Sequence, residues 1–383
     1  MLRSIALATV VLSSVWASAD STVVVDCGAG QSLNSTLAKM DKFAPASVRF
    51  KGTCNEYVLV DGFENLTIKG LTGATIQQPA TDPSTSPIYV LSVKASKGVI
   101  LSGFAVHSRP SAFSGIGIGR GSTNVSLRNV TTDGSWGIVA YEASQVWLVR
   151  VNVNITSGYA AVSAFDKSDV HIVDSLLQRP ADSGFHAGLL VSSGHVTIQG
   201  TTIRDMQQSI NVNDSGSVDL VNFDSTAAGV DVTIDNPAGT NLNGVIVGDS
   251  SSLNLESAKL RISNAGQPWG GDSGSVLVTN GSTLNAGANL VISGGPGQGV
   301  IVANNSHAQL AGSSITGVAH GGLVVLNLST VGMDISAPAT TISGNGTDLF
   351  CDSRSQIAGA LNIQNASTIQ CNNLLPGQYE SLP

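Results

Sequence analysis

The chain has 383 residues, a formal charge of −8, 43 glycines, 11% charged residues and 5% aromatics. With 42% hydrophobic residues it is too apolar for a disordered chain. Asp and Glu outnumber Lys and Arg 26 to 18, without a basic run, so a nucleic-acid partner is not expected. No run of about 18 apolar residues exists, so neither is a membrane span.

At the N-terminus Arg3 precedes a short apolar core at 5–12 and the small-residue site Ala17-Ser18-Ala19. That order predicts a secretory signal peptide over 1–19, and hence a secreted protein: extracellular, periplasmic or held at the cell surface. Export permits disulfides. Four cysteines admit three pairings, and the local one, Cys27 with Cys54 and Cys351 with Cys371, is expected, with one bridge near each end. Residues 20–57 read as an N-terminal cap. Within it, Leu33, Leu37 and Met40 recur at helical spacing, predicting a short helix within 31–43 that closes the open end of a repeat core.

From Val58 onward a short apolar strand is followed, usually eight residues after its start, by another. The paired starts are Val58/Leu66, Leu91/Val99, Ile116/Val125, Ile138/Val146, Val162/Val170, Leu189/Val196, Ile210/Val218, Val245/Leu253, Val276/Leu284, Val300/Ala308, Leu323/Val331 and Leu349/Ile357. A third apolar stretch often completes the unit, as at 198–203 and 290–292. Alternation within a strand has period two, with Val162 and Ala164 facing in and Ser163 and Phe165 out. Units recur every 21 to 35 residues, the range of solenoids and propellers, but are too short for four-stranded blades. The expected fold is all-β: a single-stranded, right-handed parallel β-helix of about twelve coils over 58–370, followed by a tail at 371–383. The hand follows from the preference of parallel crossovers. Stacked coils lie about 4.8 Å apart. Four residues after the first strand start runs a polar column, Arg120, Glu142, Asp166, Asp214, Asp249, Asn280, Asn304 and Asn327. Asn and Asp tolerate left-handed backbone geometry, so this column reads as the turn between strands.

The phrases NLTIKG at 65–70, HVTIQG at 195–200 and LVISGG at 290–295 resemble the right-handed β-helix proteins of the pectate-lyase-like superfamily, in particular secreted bacterial members defined by the β-helix region. The resemblance covers 58–370 and implies the fold. Its members include polysaccharide lyases, glycoside hydrolases, epimerases, carbohydrate esterases and non-catalytic surface proteins, so it does not imply one activity. The chain has no Asp-Asp pair and no Gly-His-Gly, His320-Gly321-Gly322 being the nearest approach. No family catalytic residue carries over.

Three kinds of site remain. Glu142 and Asp166 share the turn column on adjacent coils, where two carboxyls could serve glycoside hydrolysis. With Asp133 they could instead offer oxygens to Ca2+, while Gly270-Gly271-Asp272 is only a fragment of a calcium repeat; no metal site or cofactor is otherwise indicated. The third is a glycan-binding patch, with Tyr141 beside Phe165, Trp147 beside His171, Arg120 in the turn between, and Arg179, Asp182, Phe185 and His186 on a long loop. Aromatic bodies with polar tips suit sugar rings, and the net negative charge favours neutral glycans over polyanions. The expected function is polysaccharide binding. The alternatives are a polysaccharide-cleaving lyase or hydrolase with a non-standard site, and a structural or partner-binding rod. An apolar outward column, Ile246, Leu277, Ile301, Val324 and Leu326, is either a partner or oligomer interface or covered by the long loops after Ile210 and Val245. Oligomeric state stays open.

Overall fold

The structure is a computed structural model that describes residues 21–80, 89–109, 114–156, 158–179, 186–223, 231–236, 243–267, 273–333, 338–358, 363–364 and 367–371. The expected signal peptide, Asp182, Phe185, the Gly270–Asp272 fragment and the tail beyond Cys371 lie outside the described residues.

Short strands wind through three long sheets of 13, 14 and 13 strands. All the strand pairings are parallel, so the chain is a parallel β-helix of about twelve turns. Sheet 1 contains all twelve first-strand starts as one column in register: Val58 pairs Leu91, Leu91 pairs Ile116, and the series runs through Leu323 to Leu349. It extends to a thirteenth rung at Ile369. Sheet 2 does the same for the second starts, from Val125 and Val146 to Val331 and Ile357. Sheet 3 holds the third stretch of each coil, such as Leu176–Gln178 and Thr202–Arg204. The alternation places Val, Ile and Leu inside, where they form one continuous cluster from Val25 to Ile357. Burying these side chains is the main stabilising term.

The corners explain the polar column. All eight residues from Arg120 to Asn327 have φ between 51° and 57°. This is the left-handed region that Asn and Asp tolerate best. Two residues further on, Ser122, Ser144, Ser168, Ser251, Ser282, Ser306 and Ser329 are buried and link successive coils. The backbone N–H of Ser144 donates to the Ser168 hydroxyl at 3.2 Å, that of Ser282 to Ser306 at 3.2 Å, and that of Ser306 to Ser329 at 3.2 Å. A corner cannot complete a strand ladder, and these hydroxyls satisfy amides that would otherwise be buried unpaired.

Several expectations are revised. The sheets begin before residue 58: Ser21–Asp26 and Ala46–Lys51 are rungs of sheet 2, and Thr53–Asn55 is a rung of sheet 3. The helix is α1, Leu33–Leu37, shorter than 31–43. Its end tightens, with the N–H groups of Lys39 and Met40 bonding back three residues to Thr36 and Leu37, as final helical turns often do. Leu33 and Leu37 are buried. The Glu56 carboxylate accepts from Ser32 Oγ at 2.6 Å, Leu33 N at 2.6 Å and Asn34 N at 3.2 Å, anchoring the positive end of the helix. Ser163 faces outward yet is fully buried, within an outer layer where Val139 and Leu190 flank it in register. The apolar column is likewise a cluster laid on the outside of sheet 1, with Leu277, Ile301 and Val324 buried. Ile246 and Leu326 at its margin are only partly buried. Disulfides join Cys27 to Cys54 and Cys351 to Cys371.

Candidate functional site

The outward face of sheet 2 carries two adjacent columns of side chains with different chemistry. In one, Trp147 of Gln145–Val149 pairs in register with His171 of Asp169–Val173. Their rings stack 4.1 Å apart at 19°. Phe223, 51% exposed, comes back over the same face to lie 5.8 Å from the Trp147 ring and 6.3 Å from that of His171. Its backbone N–H is held by Gln199 Oε1 at 2.8 Å. The result is an aromatic surface flush with a rigid sheet.

Two residues along each strand, toward the N-terminal end of the rod, the register runs Arg49, Lys69, Ser102, Arg128. The three cations are exposed, and among the described residues none of them forms an ion pair. Arg128 Nε donates to Ser126 Oγ at 3.0 Å, leaning its guanidinium toward the column that leads to Trp147. This stripe reflects an uneven charge distribution: residues 21–128 hold ten Lys and Arg against six Asp and Glu, residues 129–383 seven against nineteen. The net charge therefore misrepresents the N-terminal coils, and the argument from it against polyanions does not apply there.

Beyond the aromatic surface lies a polar network. His195 Nδ1 is 2.9 Å from Asp169 Oδ1 and its Nε2 is 3.0 Å from Asp219 Oδ2, while His171 Nε2 is 3.2 Å from Asp169 Oδ2. Asn254 Nδ2 donates to Asp219 Oδ1 at 2.7 Å. Hydrogen bonds donated to Asp169 and then to Asp219 raise the His195 pKa to about 9, so the ring is an imidazolium at neutral pH. Bonds from His171 and His195 hold Asp169 well below the carboxylate range, and His195 does the same for Asp219.

The expected patch is divided by the corner. Trp147 and His171 lie on sheet 2. Tyr141 turns instead onto sheet 1, where its ring stacks on Tyr89 at 5.6 Å, while Phe165 turns toward Trp136 at 6.3 Å. Arg120 and Glu142 meet within the turn, the Arg120 N–H donating to Glu142 Oε2 at 3.0 Å. Glu142 and Asp166 share the left-handed geometry of the whole column. Asp133 sits on sheet 3 against His107 at 2.6 Å, so the three oxygens considered for Ca2+ are not assembled. Arg179 and His186 are buried, 4% and 5% exposed, and do not form a surface rim. Among the described residues, Cys27, Cys54 and Glu56 converge closely enough for a metal, but the sulfurs are joined and the carboxylate holds α1. Phe223, Arg49, Lys69, His195 and Asp219 are absent from the sequence-based site. All but Phe223 are legible as columns: each lies one residue before, one after or three after a second-strand start, or pairs directly with such a position.

No protein-family model matches the chain, and no curated protein sequence matches it. Its fold has relatives among solved structures. They include the Streptococcus pneumoniae surface protein and adhesin PfbA, at 13% identity over 85% of this chain and 89% of that one, with a TM-score of 0.39. An exopolygalacturonase from Thermotoga maritima is 11% identical over 92% of each chain, with a TM-score of 0.41. The A-module of the mannuronan C-5 epimerase AlgE4 from Azotobacter vinelandii is 13% identical over 86% of this chain and 87% of that one, with a TM-score of 0.35. Among the described residues, no helix is long and apolar enough to cross a membrane.

Proposed function

We propose that this protein is a secreted polysaccharide-binding β-helix that holds a chain lengthwise on the outward face of sheet 2. One observation carries the reading: the Trp147–His171 stack lies beside, and continues rung by rung from, the unpaired Arg49, Lys69 and Arg128 column. Side chains in register repeat every ~4.8 Å, close to the length of one sugar residue, so a polymer along the axis meets equivalent positions on successive rungs. Aromatic faces take the apolar faces of sugar rings, and the cations favour acidic substituents at the N-terminal end. The open, in-register array of half-buried rings beside exposed cations suits an extended chain better than a small molecule.

The test is affinity electrophoresis of the mature chain in native gels containing polygalacturonate, alginate or a neutral glucan. Retardation by an acidic polymer is expected, weakened about tenfold in Trp147→Ala and more salt-sensitive in the wild type than in Arg49→Glu/Lys69→Glu. Equal mobility in every gel would sink the proposal. Release of reducing ends from the same polymers would show that binding serves cleavage.

A further inference from the structure

We infer that a recess on sheet 1, separate from the sheet 2 face, binds a single neutral pyranose residue. The recess has a volume of about 410 Å³ and is lined by Tyr57, Leu59, Tyr89, Ser92, Lys94 and Tyr141, with Asn34 of α1 at its edge. That volume lies within the usual range for small-molecule pockets.

Its aromatic wall depends on two glycines. Tyr89 and Tyr141 stand two rungs apart, on either side of Ser114–Gly119. The outward positions of that intervening strand are Gly117 and Gly119. A Cβ at Gly117 would enter the Tyr89 ring, and one at Gly119 the Tyr141 ring. The bare backbone lets both rings lie flat and meet across it, 5.6 Å apart at 16°. Burial, and then the nearby Glu142 charge, push the Tyr141 phenol up; burial and the paired Tyr141 do the same for Tyr89. Both stay protonated donors at any physiological pH.

A second, independent observation points to a ligand. Ser92 is 7% exposed, yet its hydroxyl has no hydrogen-bond partner. A buried hydroxyl without a partner is costly and uncommon, and this one lines the recess. Around it, Lys94 forms no ion pair among the described residues. The Asn34 carbonyl oxygen accepts from Leu59 N at 3.0 Å, which leaves its NH2 uncommitted. An aromatic wall with a hydroxyl, an ammonium and an amide at its margin matches a ring with one apolar face and equatorial hydroxyls. The Glu142 charge is felt by both phenols of the wall and counters that of Lys94, so an acidic ring gains little over a neutral one.

Saturation-transfer NMR with the methyl pyranosides of glucose, galactose and mannose, and with glucuronic acid, tests the assignment. At least one neutral pyranoside should receive saturation, and Tyr141→Ala should weaken it about tenfold. Ser92→Ala should weaken it several-fold while retaining the wild-type circular dichroism, which keeps the test decisive if Tyr141→Ala does not fold. Trp147→Ala should leave it unchanged, so a failure here is distinguishable from failure of the sheet 2 reading. Saturation of no pyranoside, equal saturation in Ser92→Ala, or preference for glucuronic acid would each overturn the inference.

Discussion

Asp169 and His195 are directly paired residues on neighbouring rungs of sheet 2, and their side chains meet at 2.9 Å. The sheet register brings them together and the imidazole extends the contact to Asp219 one rung further on, so three coils are linked by one ring on an otherwise wet surface.

This arrangement sets a pH dependence. The His195 pKa is raised from 6.5 to about 9 in the folded state, so its stabilisation is complete below about 6.5 and is lost as pH rises through 9. Asp169 and Asp219 are depressed from 3.8. Their contribution is present above that value and is lost as pH falls below it. Melting temperature should therefore be highest between about pH 4 and 6.5 and decline toward pH 10. In His195→Gln the alkaline decline should flatten. Parallel wild-type and variant curves from pH 5 to 10 would refute the role of this ring.

Gly119 should resist substitution although it lies on the outward face of its strand, because the Tyr141 ring covers it. Gly119→Ala puts a methyl where the Tyr141 ring lies and forces the ring off the sheet. A destabilisation of about 1–3 kcal/mol is expected from such overpacking, readable in urea unfolding. Gly248, where an added Cβ meets only the Thr279 methyl at 3.7 Å, is the control, and its alanine variant should be near neutral.

The corner serines should act as a series of equal, modest contributions. Ser306→Ala removes the acceptor for Ser282 N–H and should cost about 1 kcal/mol. Ser306→Ala with Ser329→Ala should cost more than either alone. These serines also explain the Asn-x-Ser triplets at Asn280, Asn304 and Asn327. The asparagine fills the left-handed corner, and the serine two residues later is buried against the next coil. The triplet is thus a consequence of turn geometry.

The C-terminal coil hangs on one buried carboxylate. Asp348 is fully buried and accepts from Asn345 N at 3.2 Å, Ser367 N at 2.7 Å, Ser367 Oγ at 3.0 Å and Thr368 N at 3.3 Å. Asp348→Ala should destabilise by about 3 kcal/mol, because it strands several donors at once. Hydrogen exchange should accelerate first at Leu349 and Thr368, whose backbones are joined by the strand this carboxylate positions. Uniform acceleration along the rod would argue against a local anchor.

Much of the fold was legible because its rules are local. An apolar residue every second position, a left-handed corner four residues on and a strand eight residues on are each set by a few neighbouring residues. That is why the starts from Val58 to Leu349 fall into one column without shift. The site was less legible. Tyr141 and Trp147 are near in sequence, but the corner at Glu142 and Ala143 turns the chain between them and sends them to different sheets. Arg49 falls in the stretch that reads as a cap, which hides the cation column it begins with Lys69. Arg179 and His186 looked like loop polar residues and are buried.

The amino-acid order by itself determined the solenoid, its rung positions, its corner residues and the local disulfide pairing, since each depends on contacts between residues close in the chain or repeated at a fixed interval. Only the tertiary structure decided what the surface can do. Stacking fixes which outward residues are neighbours, but the direction each ring takes depends on the room its neighbours leave. Gly117 and Gly119 left that room for Tyr89 and Tyr141, two rungs apart. Trp136 drew Phe165 away from Tyr141, and Phe223 reached back across sheet 2 to Trp147. Such choices are made by packing between coils, and no period in the sequence encodes them.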